Sequence, residues 1–405
     1  MSETKSDVAL IGRRSFLWAS AAAAAIPILT EADLAHAKLA SQQLGVLPPD
    51  AVIINANENP LGPCQAARDA IAKILAVSGR YDRMGEGDAL ASEFAAMHGL
   101  KPENVAVYAG SSEPLHYATL AFTSPTRSLV MGDPSYESAA RATDFSRAKV
   151  HKVPLTPTFA HDVKKMVAAD PMAGLIYIVN PNNPTGTITP REDIIWALDN
   201  KPPGSILMVD EAYLHLSDEQ HVLDQVAAGK DIIVLRTFSK IYGMAGLRAG
   251  FAIARPDLLE MLQPYYMNAM PVTALAAARA SLADKELIPV RKKWIADSRT
   301  ETISWLKTNG YKPVGDSHSN CFMIDTGRPG GSVITALRKE KVYIGRQWPV
   351  WPNAVRVSVG SPEDMAKFRT AFKKVMDAPP ATASIDRDFR DIGKITGSGG
   401  KPFLS

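Results

Sequence analysis

At 405 residues the chain is too long for one small hydrophobic core, so a large domain accompanied by a smaller one is expected. Hydrophobic residues make up 46% of the sequence and charged residues 21%, a balance typical of soluble globular proteins. The formal net charge is only +3 and no polybasic run is present, so the composition gives no support for nucleic-acid binding.

The first 37 residues have the features of a secretory signal. Arg13 and Arg14 are followed by Ser-Phe-Leu, an apolar run at 18–29 and the small-residue pattern Ala-His-Ala at 35–37. The paired arginines resemble those of a twin-arginine signal. We therefore predict a signal at 1–37, an N-terminal arm at 38–50 and a periplasmic protein with no membrane span in its mature chain. A cytoplasmic location, or an uncleaved signal that anchors the chain, is the alternative.

Three short apolar runs, at 175–179, 206–209 and 232–235, are rich in β-branched residues. Continuous runs of this kind indicate strands that are covered on both faces. Helical patterns at 190–198 and 221–228 separate them, so strands and helices alternate as in a parallel sheet with right-handed crossovers. In such sheets, ligands bind beyond the carboxyl ends of the strands.

Polar side chains follow each of these three predicted strands. Asn183 lies in the segment after the first, Asp210 and Tyr213 follow the second, and Lys240 follows the third. One polar ending is typical of an ordinary loop. Three endings from neighbouring strands predict that these side chains converge on a single pocket.

Lys240 and Asp210 supply what a carbonyl cofactor with a pyridine ring requires. A primary amine forms an imine with a carbonyl group, and a buried carboxylate needs a cation, which a protonated pyridine nitrogen provides. The pair therefore predicts pyridoxal phosphate held as a Schiff base on Lys240. Asn183 and Tyr213 can hydrogen-bond the phenolic oxygen of its ring. A solvated surface lysine and a helix-capping aspartate are the alternatives for the first two positions.

The phosphate of such a cofactor needs hydrogen-bond donors. Gly-Ser-Ser-Glu at 110–113 follows a predicted strand at 105–108 and precedes a helical pattern, and small-residue turns at helix N-termini bind anions. Thr237, Ser239 and Arg248 add side-chain donors. An ordinary turn is the alternative for 110–113.

With these residues in place, the sequence resembles the fold-type I, class I and II aminotransferases. The shared motifs are Asn-Asn-Pro-Thr-Gly at 182–186, Asp-Glu-Ala-Tyr at 210–213, and Ser-Lys at 239–240 with an arginine eight residues later. Asn-Ala-Asn-Glu-Asn-Pro at 55–60, together with matches at 80–81, 110–113, 133–136 and 356–360, is most similar to the histidinol-phosphate aminotransferase branch. The resemblance covers about residues 50–376.

The resemblance implies a fold and an assembly. The fold is α/β, a three-layer sandwich with a mainly parallel sheet, together with a smaller α/β domain. The large cofactor-binding domain would span 82–270, and the small domain would combine 51–81 with 271–376. A flexible tail is expected at 377–405, and the active unit would be a homodimer.

The resemblance also implies residue roles. Lys240 would hold the cofactor and move the proton at the substrate Cα, with Asp210 and Tyr213 as the other catalytic residues. The predicted cofactor-binding residues are Lys240, Asp210, Asn183, Tyr213, Tyr136, Ser111, Ser112, Thr237, Ser239, Arg248 and Tyr81, the last reaching the phosphate in the partner subunit. The predicted substrate-binding residues are Arg356, Arg346, Asn320 and Asn59. No metal site is expected, because Cys64 and Cys321 lie in no Cys/His cluster; a disulfide between them stays open.

The activity expected from these residues is amino transfer between an amino acid and a 2-oxo acid. A lyase, racemase or oxidase with the same cofactor, or a non-catalytic protein that binds it, is the alternative. Histidinol phosphate is one candidate donor, but two features argue against it. Enzymes of that branch usually carry a tyrosine in the segment before the Asn-Glu-Asn-Pro motif, whereas residues 44–50 contain none, and residues 347–352 are unusually rich in tryptophan. Trp348 and Trp351 either line the pocket, which favours an aromatic or apolar donor, or pack into the small domain or cover its surface. Arg346 could accept a second anion, which favours an acidic acceptor.

Overall fold

The structure is a computed structural model that describes residues 47–266 and 269–379. Within this part of the chain the strands are β1 (Val52–Ile54), β2 (Val105–Tyr108), β3 (Leu129–Asp133), β4 (Val150–Pro154), β5 (Leu175–Val179), β6 (Ile206–Asp210), β7 (Ile232–Thr237), β8 (Gly250–Ile253), β9 (Lys312–Val314), β10 (Cys321–Asp325), β11 (Val342–Ile344) and β12 (Ala354–Ser358). The α-helices are α1 (Gln65–Ile74), α2 (Glu86–Met97), α3 (Ser112–Phe122), α4 (Ser138–Ser146), α5 (Val163–Ala168), α6 (Arg191–Asn200), α7 (Leu223–Ala227), α8 (Pro256–Glu260), α9 (Val272–Ala283), α10 (Leu287–Thr308), α11 (Gly330–Lys339) and α12 (Pro362–Asp377).

The central layer is a seven-stranded sheet with the order β2-β8-β7-β6-β5-β3-β4. β5, β6 and β7 are parallel neighbours, which confirms the prediction from the three apolar runs. Successive residues of β5 pack into two different cores, with Ile176 and Ile178 on one face of the sheet and Tyr177 and Val179 on the other. A strand buried on both faces has no polar side, which is why its sequence is continuously apolar.

β8 is the exception in this sheet, because it runs antiparallel to both of its neighbours, β7 and β2. Its first residue, Gly250, lies against the turn at Gly110 and Ser111. A Cβ on Gly250 would approach the backbone carbon of Gly110 and the backbone nitrogen of Ser111 to 2.7 Å. The missing side chain therefore lets that turn lie directly at the end of the sheet.

Two smaller sheets complete the described fold: an antiparallel sheet with the order β12-β10-β9 and a parallel pair, β1 with β11. α12 starts at a well-formed cap, since the Ser361 side chain accepts a hydrogen bond from the Asp364 backbone and Pro362 occupies the first turn. The described residues from Val52 onward form one compact unit. The predicted division into a large domain at 82–270 and a small domain thus stays a prediction.

Several predicted segments lie outside the described residues. They are the signal at 1–37, most of the arm at 38–50, and the tail at 377–405 apart from its first three residues. Among the described residues, no helix is long and apolar enough to cross a membrane.

Candidate active site

A cavity of about 380 Å³ opens at the carboxyl ends of β5, β6 and β7. The register of the sheet explains the convergence there, since Val179 at the end of β5 pairs with Asp210, and Asp210 pairs with Leu235 near the end of β7. Twelve predicted site residues line the cavity: Ser111, Ser112, Tyr136, Asn183, Asp210, Tyr213, Thr237, Ser239, Lys240, Arg248, Arg346 and Arg356. The parallel sheet therefore brings most of the predicted site together.

Asp210 is the last residue of β6 and is 3% exposed. One carboxylate oxygen accepts a hydrogen bond from the Tyr177 hydroxyl at 3.0 Å, and the other accepts one from the Ala212 backbone at 3.1 Å. Burial raises the pKa of Asp210 to about 6, because the charged form is poorly solvated, although the Tyr177 hydroxyl opposes the rise. A cation in the cavity would relieve this cost, as the predicted pyridine nitrogen would do.

Lys240 is half-buried and points its amine into the cavity. The amine donates to the backbone carbonyl of Asn57 at 3.0 Å and lies 5.5 Å from the centre of the Tyr213 ring. Burial, followed by the positive charge of Arg356, lowers the pKa of Lys240 to about 8. A useful fraction of the amine is therefore neutral, and hence nucleophilic, near neutral pH.

Cofactor attachment is consequently expected to accelerate with pH up to about 8. Since only the neutral amine attacks a carbonyl, the rate at which pyridoxal phosphate joins the cofactor-free protein should rise about tenfold per pH unit below 8 and then level off. Stopped-flow absorbance between pH 6 and 10 measures this rate. A rate that keeps climbing to pH 10 would show that Lys240 keeps ordinary lysine basicity.

Hydrogen bonds orient the polar groups above Lys240. The side-chain carbonyl of Asn183 accepts from Arg356 at 2.9 Å, so its NH₂ group is left to donate into the cavity. The Tyr213 hydroxyl accepts from the Asn57 amide at 3.0 Å, so its own proton is free as a donor. Arg356 is 9% exposed, also donates to the backbone carbonyl of Asn55, and keeps its Nε–H without a protein acceptor. These groups fit a ring oxygen and a substrate carboxylate.

The predicted phosphate site is a cradle at the start of α3. Gly110 has φ of +88°, and a Cβ there would lie 2.4 Å from the Arg248 guanidinium. Arg248 reaches Ser239 Oγ at 3.3 Å, and Ser239 in turn accepts from the Thr237 hydroxyl at 3.0 Å. A guanidinium, two hydroxyls and a helix N-terminus form the donor set that a phosphate requires, so the residues present fit pyridoxal phosphate.

Arg346 lines the cavity but already has partners. Its guanidinium forms an ion pair with Glu137 at 2.7 Å and stacks over the Trp348 ring at 4.3 Å. Trp348 itself is fully buried, donates its indole N–H to the Ser135 carbonyl and packs with Met323. Neither Trp348 nor Trp351 is among the residues that line the cavity. Both pack against other residues, Trp348 against Ser135 and Met323 and Trp351 against Phe159, so their partners include residues of the predicted large domain.

Three predicted site residues lie outside the cavity lining. Asn59 donates to the backbone carbonyls of Lys240 and Ile241 and so braces the lysine segment. Asn320 donates to the carbonyl of Asn57 at 2.9 Å, and Asn57 itself lines the cavity. Tyr81 is 83% exposed, and its predicted contact with a partner subunit stays a prediction.

The structure adds residues that the sequence reasoning did not single out. Asn57 contacts both Lys240 and Tyr213, Tyr177 supports Asp210, and Arg141 lines the cavity with a hydrogen bond to Ser138 of its own helix. The Asn-Glu-Asn-Pro motif was a signal for Asn57, whereas no pattern pointed to Arg141.

Both cysteines are free thiols, and Cys321 lies 3.2 Å from the Asn57 amide.

Comparison with known proteins gives consistent matches over this whole region. The family described as aminotransferase class I and II matches residues 49–372. A histidinol-phosphate aminotransferase of Nitrosococcus oceani is 31% identical over 81% of this chain and 89% of its own length. An aromatic amino acid aminotransferase of Rhodococcus jostii is 32% identical over 79% of this chain and 89% of its own length. The crystal structure of a histidinol-phosphate aminotransferase from Sinorhizobium meliloti, in complex with pyridoxal phosphate, superposes with a TM-score of 0.75 at 24% identity, covering 81% and 91% of the two chains.

Proposed function

Because the chain belongs to the class I and II aminotransferase family, we propose that it moves the amino group of an aromatic or apolar amino acid to a dicarboxylic 2-oxo acid. The chain is a pyridoxal-phosphate-dependent aminotransferase of fold type I. The proposal concerns its substrates. The similarity to an aromatic amino acid aminotransferase supports the donor class, and the arginines of the cavity support the acceptor class.

Each part of the site has a definite task in this reaction. Pyridoxal phosphate, when bound, supplies an aldehyde that exchanges with the substrate's amino group and a ring that withdraws electrons from the substrate Cα. Asp210 would provide the negative charge for the ring nitrogen, and Asn183 and Tyr213 would donate to the ring oxygen. Lys240 moves the proton at the substrate Cα, and its pKa of about 8 suits a group that must accept and return a proton.

Arg356 is the group that would bind the α-carboxylate of both substrates. It is buried beside Asn183, so the carboxylate would lie next to the donors that hold the ring. A guanidinium binds a carboxylate through two parallel hydrogen bonds, which fixes the direction of the substrate's Cα. That orientation would direct the Cα proton toward Lys240, which lines the same cavity.

The observation that carries the substrate proposal is the pairing of Arg346 with Glu137. Because Glu137 balances its charge, Arg346 can stay unbound without cost when an aromatic or apolar side chain occupies the cavity. The side-chain carboxylate of an acidic acceptor can instead bind Arg346 or Arg141, which both line the cavity. Arg141 bonds Ser138 and has no acidic partner among the described residues. One cavity can thus accept two different side chains in turn.

Histidinol phosphate is a second candidate donor. The histidinol-phosphate aminotransferase of Nitrosococcus oceani supports it, and Arg141 and Arg346 would suit its phosphate. It lacks an α-carboxylate, so Arg356 would then serve the acceptor alone. The two candidate donors differ in charge: histidinol phosphate would place a phosphate near Arg346, whereas an aromatic or apolar amino acid would place an uncharged side chain there.

A half-reaction assay tests the proposal. The purified holoenzyme is mixed with phenylalanine, tyrosine, histidine, leucine, aspartate or histidinol phosphate, and the loss of the cofactor's absorption band is compared with the oxo product released. We expect fastest reaction with phenylalanine, tyrosine or leucine and one oxo acid per active site. Efficient reaction of histidinol phosphate alone would overturn the donor assignment. Conversion of the amino acid while the cofactor's absorption band is retained would favour a lyase, racemase or oxidase, because those reactions return the cofactor unchanged.

We propose a homodimer as the active unit, on the basis of the exposed Tyr81 side chain. If its hydroxyl reaches the phosphate in the partner subunit, Tyr81→Phe should weaken pyridoxal phosphate binding by about 10-fold or more, as expected for one lost hydrogen bond to a charged group. Equilibrium dialysis measures the affinity, and mass photometry under assay conditions measures the assembly. A fully active monomer would rule the dimer out.

We also propose export by the twin-arginine route, because Arg13 and Arg14 precede an apolar run and an Ala-His-Ala site. Cell fractionation of the full chain is expected to place it in the periplasm. Arg13→Lys together with Arg14→Lys should retain it in the cytoplasm. Equal distribution of both forms would contradict export.

A further inference from the structure

Asn57 is a buried polar residue that contacts the lysine predicted to hold the cofactor. It is 1% exposed, and its φ of +53° places it in the left-handed region. Its backbone carbonyl accepts from Lys240, and its side-chain amide lies 3.0 Å from the Tyr213 hydroxyl. Asn57 therefore contacts both the group that holds the cofactor and a group that tunes it.

The direction of the hydrogen bond between Asn57 and Tyr213 follows from Ser358. The Ser358 hydroxyl oxygen accepts from the Asn57 backbone at 2.8 Å, which leaves its proton to donate to the Asn57 side-chain oxygen at 3.0 Å. The NH₂ group of the amide must then face Tyr213, and it can only donate. The Tyr213 hydroxyl accepts this bond, so its own proton is directed elsewhere, toward the cavity.

We propose that Asn57 is a positioning residue that orients the Tyr213 hydroxyl as a donor to the cofactor ring and so governs the protonation of the Lys240–cofactor linkage. The inference rests on the cofactor site and on none of the proposed substrates. An amide that donates to the Tyr213 oxygen makes that hydroxyl a stronger donor in turn, because hydrogen bonds in a chain polarise one another.

The sign of the effect follows from the ring oxygen. When the linkage loses its proton, the ring oxygen loses the neighbouring N–H group and depends more on donors from the protein. Weakening the Tyr213 donor disfavours this deprotonated state and raises the pKa of the linkage. If the Tyr213 hydroxyl is no longer held toward the ring oxygen, that hydrogen bond is lost, which corresponds to a rise of about 0.5 to 1 pH unit.

Asn57→Gly is the variant that isolates the side chain. Glycine adopts positive φ freely, so the backbone carbonyl that receives Lys240 can stay in place while the amide is removed. The holoenzyme is titrated from pH 5 to 10 without substrate, and the absorption of the bound cofactor gives the pKa of the linkage. We expect this pKa to rise by about 0.5 to 1 unit.

The same substitution in a Tyr213→Phe background distinguishes positioning from a general structural effect. If Asn57 acts through the Tyr213 hydroxyl, Asn57→Gly should shift the pKa by less than about 0.2 unit once that hydroxyl is absent. An equal shift in both backgrounds, or no shift in the first, would overturn the proposal. The titration needs no turnover, so its outcome is independent of the substrate proposal.

Ser358→Ala provides a second route if Asn57→Gly does not fold. It keeps Asn57 but removes the hydroxyl that fixes the amide direction. We expect a smaller rise in the linkage pKa, again only when Tyr213 is present. An unchanged pKa in Ser358→Ala, with its cofactor still bound, would count against the proposal.

Discussion

Replacement of Lys240 by alanine is expected to eliminate covalent cofactor attachment and to lower turnover by about 10⁴-fold, because the variant loses both the nucleophile and the proton carrier. Pyridoxal phosphate should still bind, although weakly, since Arg248, Ser239 and the α3 N-terminus remain. The absorption spectrum reports the attachment, and single-turnover kinetics report the proton transfer. No other lysine lines the cavity within the described residues, so no neighbour can replace Lys240.

Borohydride reduction of the wild-type holoenzyme provides the control. Mass spectrometry of the digested protein should find the reduced cofactor on the peptide that contains Lys240. Lys230→Ala is the matched variant, because Lys230 is exposed and pairs with Asp199 at the surface; it should keep normal attachment and turnover. Label on another lysine would contradict the assignment of the site.

Replacement of Asp210 by alanine should leave the cofactor attached but remove most of the activity. The buried pair of carboxylate and ring nitrogen would lose its anion, and breaking a buried pair costs about 3 kcal/mol or more, which corresponds to at least about a 10²-fold loss of turnover. Steady-state kinetics with a saturating donor measure the loss. Near-normal turnover would show that the charge on the ring nitrogen does not limit the reaction.

The pH dependence of cofactor binding provides a second measure of Asp210. In the cofactor-free protein its pKa is raised to about 6, so the carboxylate is charged above that pH and neutral below it. Affinity for pyridoxal phosphate should therefore fall as the pH drops through 6. Asp210→Asn keeps the size of the side chain and should lack this component, so the difference between the two proteins isolates Asp210. Parallel pH profiles would contradict the pairing.

Three strands of the seven-stranded sheet, β5, β6 and β7, were predictable because buried parallel strands have a local signature. The run at 175–179 coincides with β5, whereas 206–209 and 232–235 each extend further, to Asp210 and Thr237. Polar residues can end a buried strand when they find partners there, and Asp210 does so through Tyr177. The antiparallel direction of β8 was not predictable. Its four residues, Gly-Phe-Ala-Ile, carry no pattern that indicates whether the neighbouring strands run parallel or antiparallel to it.

The cofactor side of the site was predictable for a related reason. Asp210 ends a strand, Asn183, Tyr213 and Lys240 each follow one, and parallel neighbours end at the same edge, so sequence position alone brings them together. The substrate side was less accessible. The sequence left both environments open for Trp348, and only the structure buries it beneath Arg346.

The sequence by itself determined the fold class and the cofactor and predicted Lys240 as the attachment site, since these follow from strand periodicity and from motifs only a few residues long. Tertiary structure alone decided that Glu137 neutralises Arg346, that Arg141 reaches the cavity, and that Asn57 connects Ser358 with Tyr213. Asn57 and Ser358 are 301 positions apart in the chain. Contacts over such separations depend on how whole sheets and helices pack, and no local pattern of residues records that packing.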